Sequence, residues 1–249
     1  MIKIKNEKEI IALKKSCKIL AEVKQVLYDY IRPGISLKEI DSAAFDEIIK
    51  RNAKPGFLGL YGFKNTLCAS VNEELIHGIP GNYILKDGDL LKIDIGCIYD
   101  GMNSDSAFTI SVGKSTPEND LLIRAAKESF EAGLKAIKPG ARVGDISAAV
   151  GAVIKKYGFY TPSEYSGHGI GYELHEDPYV FNDGKKGTGE LLRDGMAICI
   201  EPMIVQNSPK VKVLSDGWTV VAKSGKKTSH YEHTILIENG KGVNLTKGI

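Results

Sequence analysis

LKDGDLLKID (residues 85–94) and LRDGMAICIE (residues 192–201) decide how this chain is read. Each opens with Leu, a basic residue and Asp-Gly, runs through a short apolar stretch and ends on one carboxylate, and the two lie 107 positions apart. A second pair, IRPGISLKEI (31–40) and IKPGARVGDI (137–146), lies 106 positions apart in the same order. Asp-Gly alone is a common turn signal, but two collinear echoes at nearly one offset point to an internal duplication. Two copies are too few for a solenoid. The expected arrangement is one domain, residues 1–249, built of two related halves, roughly 31–112 and 137–238, facing each other across an approximate two-fold axis.

Each half reads as two helices followed by strands. Apolar residues at helical spacing (Ile10, Leu13, Cys17, Leu20, Leu27) predict a helix over 7–30, ended by Arg32-Pro33-Gly34. A second helix runs to about Asn52, capped by Ser36 or Asp41. Strands are predicted over 90–98 and 103–112, joined at an Asp100-Gly101 hairpin turn. Helices over about 117–137 and 143–157 follow, then strands over 191–205, 218–222 and 231–238, with an open loop at 182–190. The fold class is therefore α+β, with helices on one face of a curved, mostly antiparallel sheet.

Composition excludes several classes. The net charge is +2, so no strong field points to nucleic acid or to a membrane surface. There is no 18-residue apolar run, and the charged start MIKIKNEKEI has no signal-peptide core. The four cysteines, Cys17, Cys68, Cys97 and Cys199, form no CxxC pair and read as reduced, buried thiols of a cytosolic protein.

The carboxylates carry the chemistry. A two-residue turn at Asp100-Gly101 sets Tyr99 opposite Met102 and hence Asp94 opposite Ala107. Asp105 is then a diagonal neighbour of Asp94 on the same sheet face. Two facing carboxylates repel unless a proton or a cation lies between them. Glu201 takes in the second echo the place of Asp94 in the first, and Glu232 enters a strand in HYEHTILI. A solvated strand face is the plain alternative for each acid alone. Four acids at strand positions, two of them related by the repeat, favour a shared cation site. Three of the five histidines, His77, His168 and His175, lie in loops beside Gly or Pro, where site residues concentrate. His230 and His233 are taken as structural or solvent-facing. Carboxylates plus imidazole, with no thiolate required, suit a pair of Mn, Fe or Co ions, with Zn a further candidate. Such a pair, about 3.5–4 Å apart, is a hydrolase arrangement.

HGIP (77–80), KIDIG (92–96) with Asp105, GHGIG (167–171), LHEDP (174–178), EPM (201–203), DGWTV (216–220) and YEHT (231–234) occur in order. Together they resemble the type I methionine aminopeptidases of the bacterial kind, metallopeptidases of the pita-bread fold, over nearly the whole chain. The resemblance implies that Asp105 and Glu232 bridge two divalent ions, that Asp94 completes one shell, and that His168 and Glu201 complete the other. It implies attack by a metal-activated water on the first peptide bond, with Glu201 as proton shuttle. His77 and His175 would contact substrate, His175 as a donor to the developing oxyanion. Phe57, Leu60, Phe63, Cys68 and Trp218 would form an apolar methionine pocket. It further implies a preference for a small second residue and a monovalent cation near Asn72 and Thr228. Phe57, Leu60 and Leu174 depart from the usual residue sizes around that pocket.

The substrates implied are N-termini of nascent polypeptides, in the cytoplasm, with a monomeric enzyme in transient ribosome contact. No membrane and no sequence-specific nucleic acid is expected as partner. Lys185-Lys186 and Lys223–Lys227 read as solvated loops, with ribosomal RNA as the alternative. A Xaa-Pro-type aminopeptidase is the rival enzyme, but that group usually carries a sizeable N-terminal domain, and here about 30 residues precede IRPG. A non-catalytic binding module of the same fold typically loses metal ligands, and all five are present here.

Overall fold

A computed structural model describes residues 2–248. Four helices form: α1 (Glu7–Tyr30), α2 (Leu37–Lys50), α3 (Pro117–Ala136) and α4 (Val143–Lys156). The first half adds β1 (Lys54–Pro55), β2 (Leu67–Val71), β3 (Glu74–Ile76), β4 (Leu90–Tyr99) and β5 (Met102–Ser111). The second adds β6 (Ser166–Gly169), β7 (Glu176–Phe181), β8 (Ala197–Ile200), β9 (Met203–Ile204), β10 (Val211–Val213) and β11 (Val220–Ala222). It closes with β12 (Ser229–His230), β13 (His233–Glu238) and β14 (Lys241–Asn244).

The cap of α2 is Ser36, whose hydroxyl accepts from Glu39 N–H (3.2 Å) while its own N–H donates to Glu39 (2.8 Å). Both bonds satisfy groups that a helix start leaves open. Asp41, the other candidate cap, lies inside the helix and accepts from the N–H groups of Thr66 and Leu67.

The strand pairs are antiparallel. Strand β4 pairs with β5 on one side and with β1 and β2 on the other, and a five-stranded sheet runs β14-β13-β8-β6-β7. The two sheets join where Ala107 and Glu232 exchange backbone bonds (2.9 and 3.2 Å). Alternation along β4 splits its side chains. Leu91, Ile93, Ile95 and Cys97 enter one buried cluster with the apolar faces of α1 and α2, and Asp94 points to the other side. The second half buries a matching cluster in which α3 and α4 pack on Ile198, Ile200, Ile235 and Ile237. The helices thus cover one face, as the α+β reading expects, and the acids occupy the face that they leave.

Contacts at the two echoes match. Leu85 N–H donates to Ile35 O (2.8 Å), and Leu192 N–H donates to Ala141 O (3.0 Å). Isolated bridges pair Ser36 with Ile84 and Arg142 with Leu191. The N–H groups of Ser36 and Arg142 each donate to an acid three residues on, Glu39 and Asp145, both at 2.8 Å.

The strand expected over 191–205 is broken. Asp194 and Gly195 (φ 83°) form a turn closed by Met196 N–H to Arg193 O (3.1 Å), β8 begins at Ala197, and Glu201-Pro202 interrupts it before β9. Proline has no N–H to give a ladder. The strand expected from Trp218 begins at Val220. Among the described residues, no helix is long and apolar enough to cross a membrane.

Candidate metal centre and pocket

The hairpin sets the first two acids. Asp100 (φ 48°) and Gly101 (φ 75°) take the left-handed turn that matches strand twist. The register is Tyr99↔Met102, Asp94↔Ala107 and Gly96↔Asp105. Asp94 and Asp105 are therefore the diagonal pair that the turn predicts. Thr234 pins Asp105 from the second half, accepting from its N–H (3.0 Å) and donating to its carbonyl (2.8 Å). This brings Glu232 alongside. Glu201 follows β8, whose Ile200 pairs with His233, and Asn182 holds the Glu201 carbonyl at 2.9 Å.

His168 lies in β6. Its Nδ1–H donates to Gly169 O (2.9 Å), which leaves Nε2 as a lone pair. That Nε2 is 3.6 Å from Glu201 Oε1, 3.9 Å from Asp105 Oδ2 and 3.9 Å from Glu232 Oε1. The five residues expected to hold metal therefore converge on one place. Asp105, Glu201 and Glu232 are buried and Asp94 is half-buried.

Asp94 Oδ1, Asp105 Oδ1 and Glu232 Oε1 are buried and have no hydrogen-bond donor. Burial of an unpaired anionic oxygen is costly. The cost appears as raised pKa values. Burial pushes Asp105, Glu201 and Glu232 well above the usual carboxylate range, and the neighbouring acids push them further. Burial raises Asp94 as well. The unsatisfied oxygens fit divalent cations. Burial drives His168 down to about 3, so its imidazole is neutral at physiological pH, the form that ligates metal. Cys199 also approaches this cluster. Burial, then Glu232, raises its thiol well above its usual range, so it stays protonated and is a poor ligand.

One buried neighbour of the acids departs from the sequence reading. His230 is 1% exposed, and its Nε2 lies 3.2 Å from Glu201 Oε2. When Glu201 is ionised its oxygen can only accept, and Nε2 then carries the proton. His230 is thus neither solvent-facing nor remote from the site. His233 is buried too and bonds to Thr246 (2.8 Å) and the Tyr231 hydroxyl (2.9 Å), a structural role. The signal for His230 was present in the sequence, because residues 230 and 232 share a face under strand alternation.

An apolar cavity of about 210 Å³ opens on the acids. Phe57, Leu60, Phe63, Cys68 and Trp218 line it as expected, and Tyr61 and Leu174 complete it. Cys68 is the cross-strand partner of Asp94, which ties the pocket wall to the acids. Phe63 packs on Trp218 with ring centres 4.9 Å apart. Phe57 arrives because Gly56 N–H bonds to Gly96 O (2.8 Å), a close backbone approach in which a Cβ on Gly56 would lie 2.9 Å from Gly96 C. His77 and His175 stand at the cavity. His77 holds a left-handed backbone (φ 58°), and burial lowers its pKa to about 4. His175 is exposed, with its ring 4.5 Å from His168 on one side and parallel to Tyr61 at 6.2 Å on the other.

Four clustered acids and one imidazole beneath an apolar pocket form a donor set suited to divalent ions. The Metallopeptidase family M24 pattern matches residues 12–239. The chain belongs to the M24 metallopeptidases. It is 46% identical over 237 residues to a methionine aminopeptidase of Clostridium perfringens, covering 95% of each chain. The crystal structure of the Thermotoga maritima methionine aminopeptidase superposes with a TM-score of 0.97 at 40% identity, covering 99% of this chain and 100% of that one. A prolidase from Pyrococcus furiosus superposes with a TM-score of 0.82 at 26% identity, but this chain spans only 66% of it. The pita-bread architecture of the family is thus the fold of this chain.

Proposed function

We propose that this M24 metallopeptidase removes the N-terminal methionine from polypeptides by hydrolysing the first peptide bond. The observation that carries the reading is the junction of two environments: an apolar cavity whose floor is the cluster of unsatisfied acids. The cavity suits a thioether side chain, and the acids lie where its scissile carbonyl would rest. Asp94, Asp105, His168, Glu201 and Glu232 would hold two divalent ions. When bound, such ions lower the pKa of water and polarise a carbonyl.

The chain's own groups do the rest. Glu201, steadied by His230 Nε2–H, carries a proton from the attacking water towards the leaving amine. His175 donates a hydrogen bond to the carbonyl oxygen as it gains charge. His77, neutral because it is buried, orients the substrate. The acids around Asp94 attract the free α-amine, which restricts cleavage to the first residue. Phe57, Leu60, Leu174 and Trp218 shape the methionine pocket, and we expect a small second residue to be preferred.

The matched contacts at the two echoes support reading the chain as one catalytic domain of two related halves. Mn, Fe and Co suit the donor set, and Zn stands behind them. A monovalent cation at Asn72 and Thr228 would compete with an internal one: the Lys92 ammonium donates to Asn72 O at 2.8 Å, and Thr228 N–H donates to the same carbonyl at 3.0 Å. Nascent chains in the cytoplasm are the proposed substrates, acted on by a monomer in transient ribosome contact. Lys185, Lys186, Lys223 and Lys226 are exposed for such contact, whereas Lys227 is tied to Gly88 O and Asn119 (2.9 Å each).

The test is release of methionine from a Met-Ala-Ser peptide by metal-stripped protein with Mn, Fe(II), Co or Zn restored, beside an Ala-Pro peptide. Metal-dependent release that vanishes in Glu201→Ala and Asp105→Ala supports the reading. Preferential cleavage of the Ala-Pro peptide would move the protein to the Xaa-Pro group. No release from a folded, metal-loaded protein would leave a binding role.

A further inference from the structure

The loop that carries His175 is held from both sides, and one side is the N-terminal arm. Lys5 N–H bonds to Gly195 O (2.9 Å), which lays the arm against the second half. The Lys5 ammonium then reaches Glu176 at 2.8 Å, with the two side chains only 1% and 3% exposed. The other oxygen of Glu176 accepts from the N–H groups of Tyr172 (2.7 Å) and Glu173 (3.0 Å). Gly171 meets the lysine stem so closely that a Cβ there would sit 2.3 Å from Lys5 Cε. From the other side, Asn103 of β5, two residues before Asp105, donates through its backbone N–H (2.7 Å) and its side-chain amide (3.0 Å) to Gly171 O. The same amide also reaches Tyr172 O (3.1 Å). Residues 171–173 are thus clamped between the strand that bears an acid of the metal centre and a buried ion pair. The next two residues, Leu174 and His175, line the cavity.

A buried ion pair is a costly way to fix a fold, because an apolar pair of the same volume avoids the desolvation. What an apolar pair cannot do is accept two turn N–H groups. Here one carboxylate does so, and one ammonium at 2.8 Å holds that carboxylate in place. We propose that Lys5 is a positioning residue for His175: its ammonium holds Glu176, Glu176 holds the 171–173 turn, and the turn sets the imidazole at the mouth of the pocket. The inference rests on the substrate-contacting role given to His175 above. It assigns part of the catalytic geometry to a residue outside the pocket and 170 positions away in sequence.

The test compares Lys5→Met, Lys5→Arg and Glu176→Gln with wild type, each also in a His175→Ala background. A misplaced catalytic donor is expensive. Lys5→Met and Glu176→Gln should each lower kcat by roughly 10- to 100-fold, with KM and manganese affinity within about two-fold. Lys5→Arg should recover most of the rate, and in the His175→Ala background Lys5→Met should cost nothing further. Hydrogen exchange of the Tyr172 and Glu173 amides needs no turnover. It should speed at least ten-fold in Lys5→Met and Glu176→Gln and return towards wild type in Lys5→Arg. An unchanged kcat, a full loss that persists without His175, or unchanged amide exchange would each overturn the inference. If wild type releases no methionine, the reading of function fails by itself, and the exchange data still decide whether Lys5 holds the loop. Should Lys5→Met not fold, Glu176→Gln and Lys5→Arg carry the same comparison.

Discussion

Titrating manganese into the metal-free protein will release protons at neutral pH. Asp105, Glu201 and Glu232 are pushed well above the usual carboxylate range by burial and by one another, and Asp94 is raised by burial. In the unfolded chain such acids ionise near pH 4. Above that pH each proton that the folded, metal-free protein keeps is one the unfolded chain has lost. The metal-free fold is then weakened by about 1.4 kcal/mol per pH unit per proton, until pH passes the folded pKa. Ligation needs ionised carboxylates, so the loaded protein has given these protons up.

Other buried groups titrate with the opposite sign. Burial lowers Lys24 and Lys92 to about 7, so above pH 7 the unfolded chain binds protons that the folded one does not, and stability rises with pH. His168 at about 3, and His77 and His230 at about 4, are neutral in the fold throughout the window. These terms occur with and without metal and cancel in the difference. The stabilisation given by metal should therefore grow with pH, by about 1.4 kcal/mol or ten-fold in apparent affinity per pH unit for each displaced proton, as long as the metal-free fold still holds that proton. Calorimetry at pH 6.5, 7.5 and 8.5, in paired buffers of different ionisation enthalpy, counts the protons directly. At least one per protein is expected at pH 7.5. A heat independent of buffer, with affinity flat across the range, would show that the acids are already ionised and would refute the electrostatics argued for the site.

Three further outcomes follow from packing. Gly96→Ala places a Cβ 2.8 Å from Phe57 Cε1 and 3.0 Å from Ser104 O. It should cost about 1–3 kcal/mol in urea unfolding and raise KM for methionyl peptides, with Phe57→Ala in the same chain restoring stability; an unchanged KM would separate Phe57 from the pocket. Gly167→Ala sets a Cβ 2.2 Å from Cys199 O, a backbone clash beside His168, and should lower both melting temperature and manganese affinity, read by calorimetry. Lys24 is fully buried, and its ammonium bonds to Ser106 Oγ at 2.7 Å. Its folded pKa lies below the unfolded value near 10.4, so its penalty is full below pH 7 and fades as pH rises. Lys24→Met should raise the melting temperature by several degrees at pH 6.5 and by less at pH 9.5; an equal gain at both would mean the lysine is not desolvated in the fold.

The metal centre was legible because turn chemistry fixes register. Once Asp100-Gly101 is a two-residue turn, Asp94 must face Ala107, and Asp105 must share its side of the sheet. That inference needs no tertiary information, and the observed pairing follows it. The helices were equally open to reading, since the apolar period and the Pro-Gly stops are local signals. The strand expected over 191–205 failed at Pro202 and Gly195, where a residue without an N–H and one with a positive φ outweigh an apolar run.

Residues that act from behind the acids were not legible, and the reason is physical. A lysine is ordinarily exposed, so nothing in its immediate sequence marks Lys5, Lys24 or Lys92 as buried. Each becomes buried through a partner far along the chain: Glu176 for Lys5, Ser106 for Lys24 and the Asn72 carbonyl for Lys92. His230 shows the limit from the other side. Alternation does place it on the face of Glu232, yet its chemistry depends on Glu201, which arrives from a strand that Pro202 has cut short. Sequence pattern therefore locates the clustered acids, because their strands must present them. The groups that hold those residues still are chosen by three-dimensional neighbours, and here they include buried lysines, of which Lys24 faces Glu232. The positive charge of Lys24 offsets part of the repulsion at Glu232, against the larger upward push that burial and the neighbouring acids exert on that carboxyl.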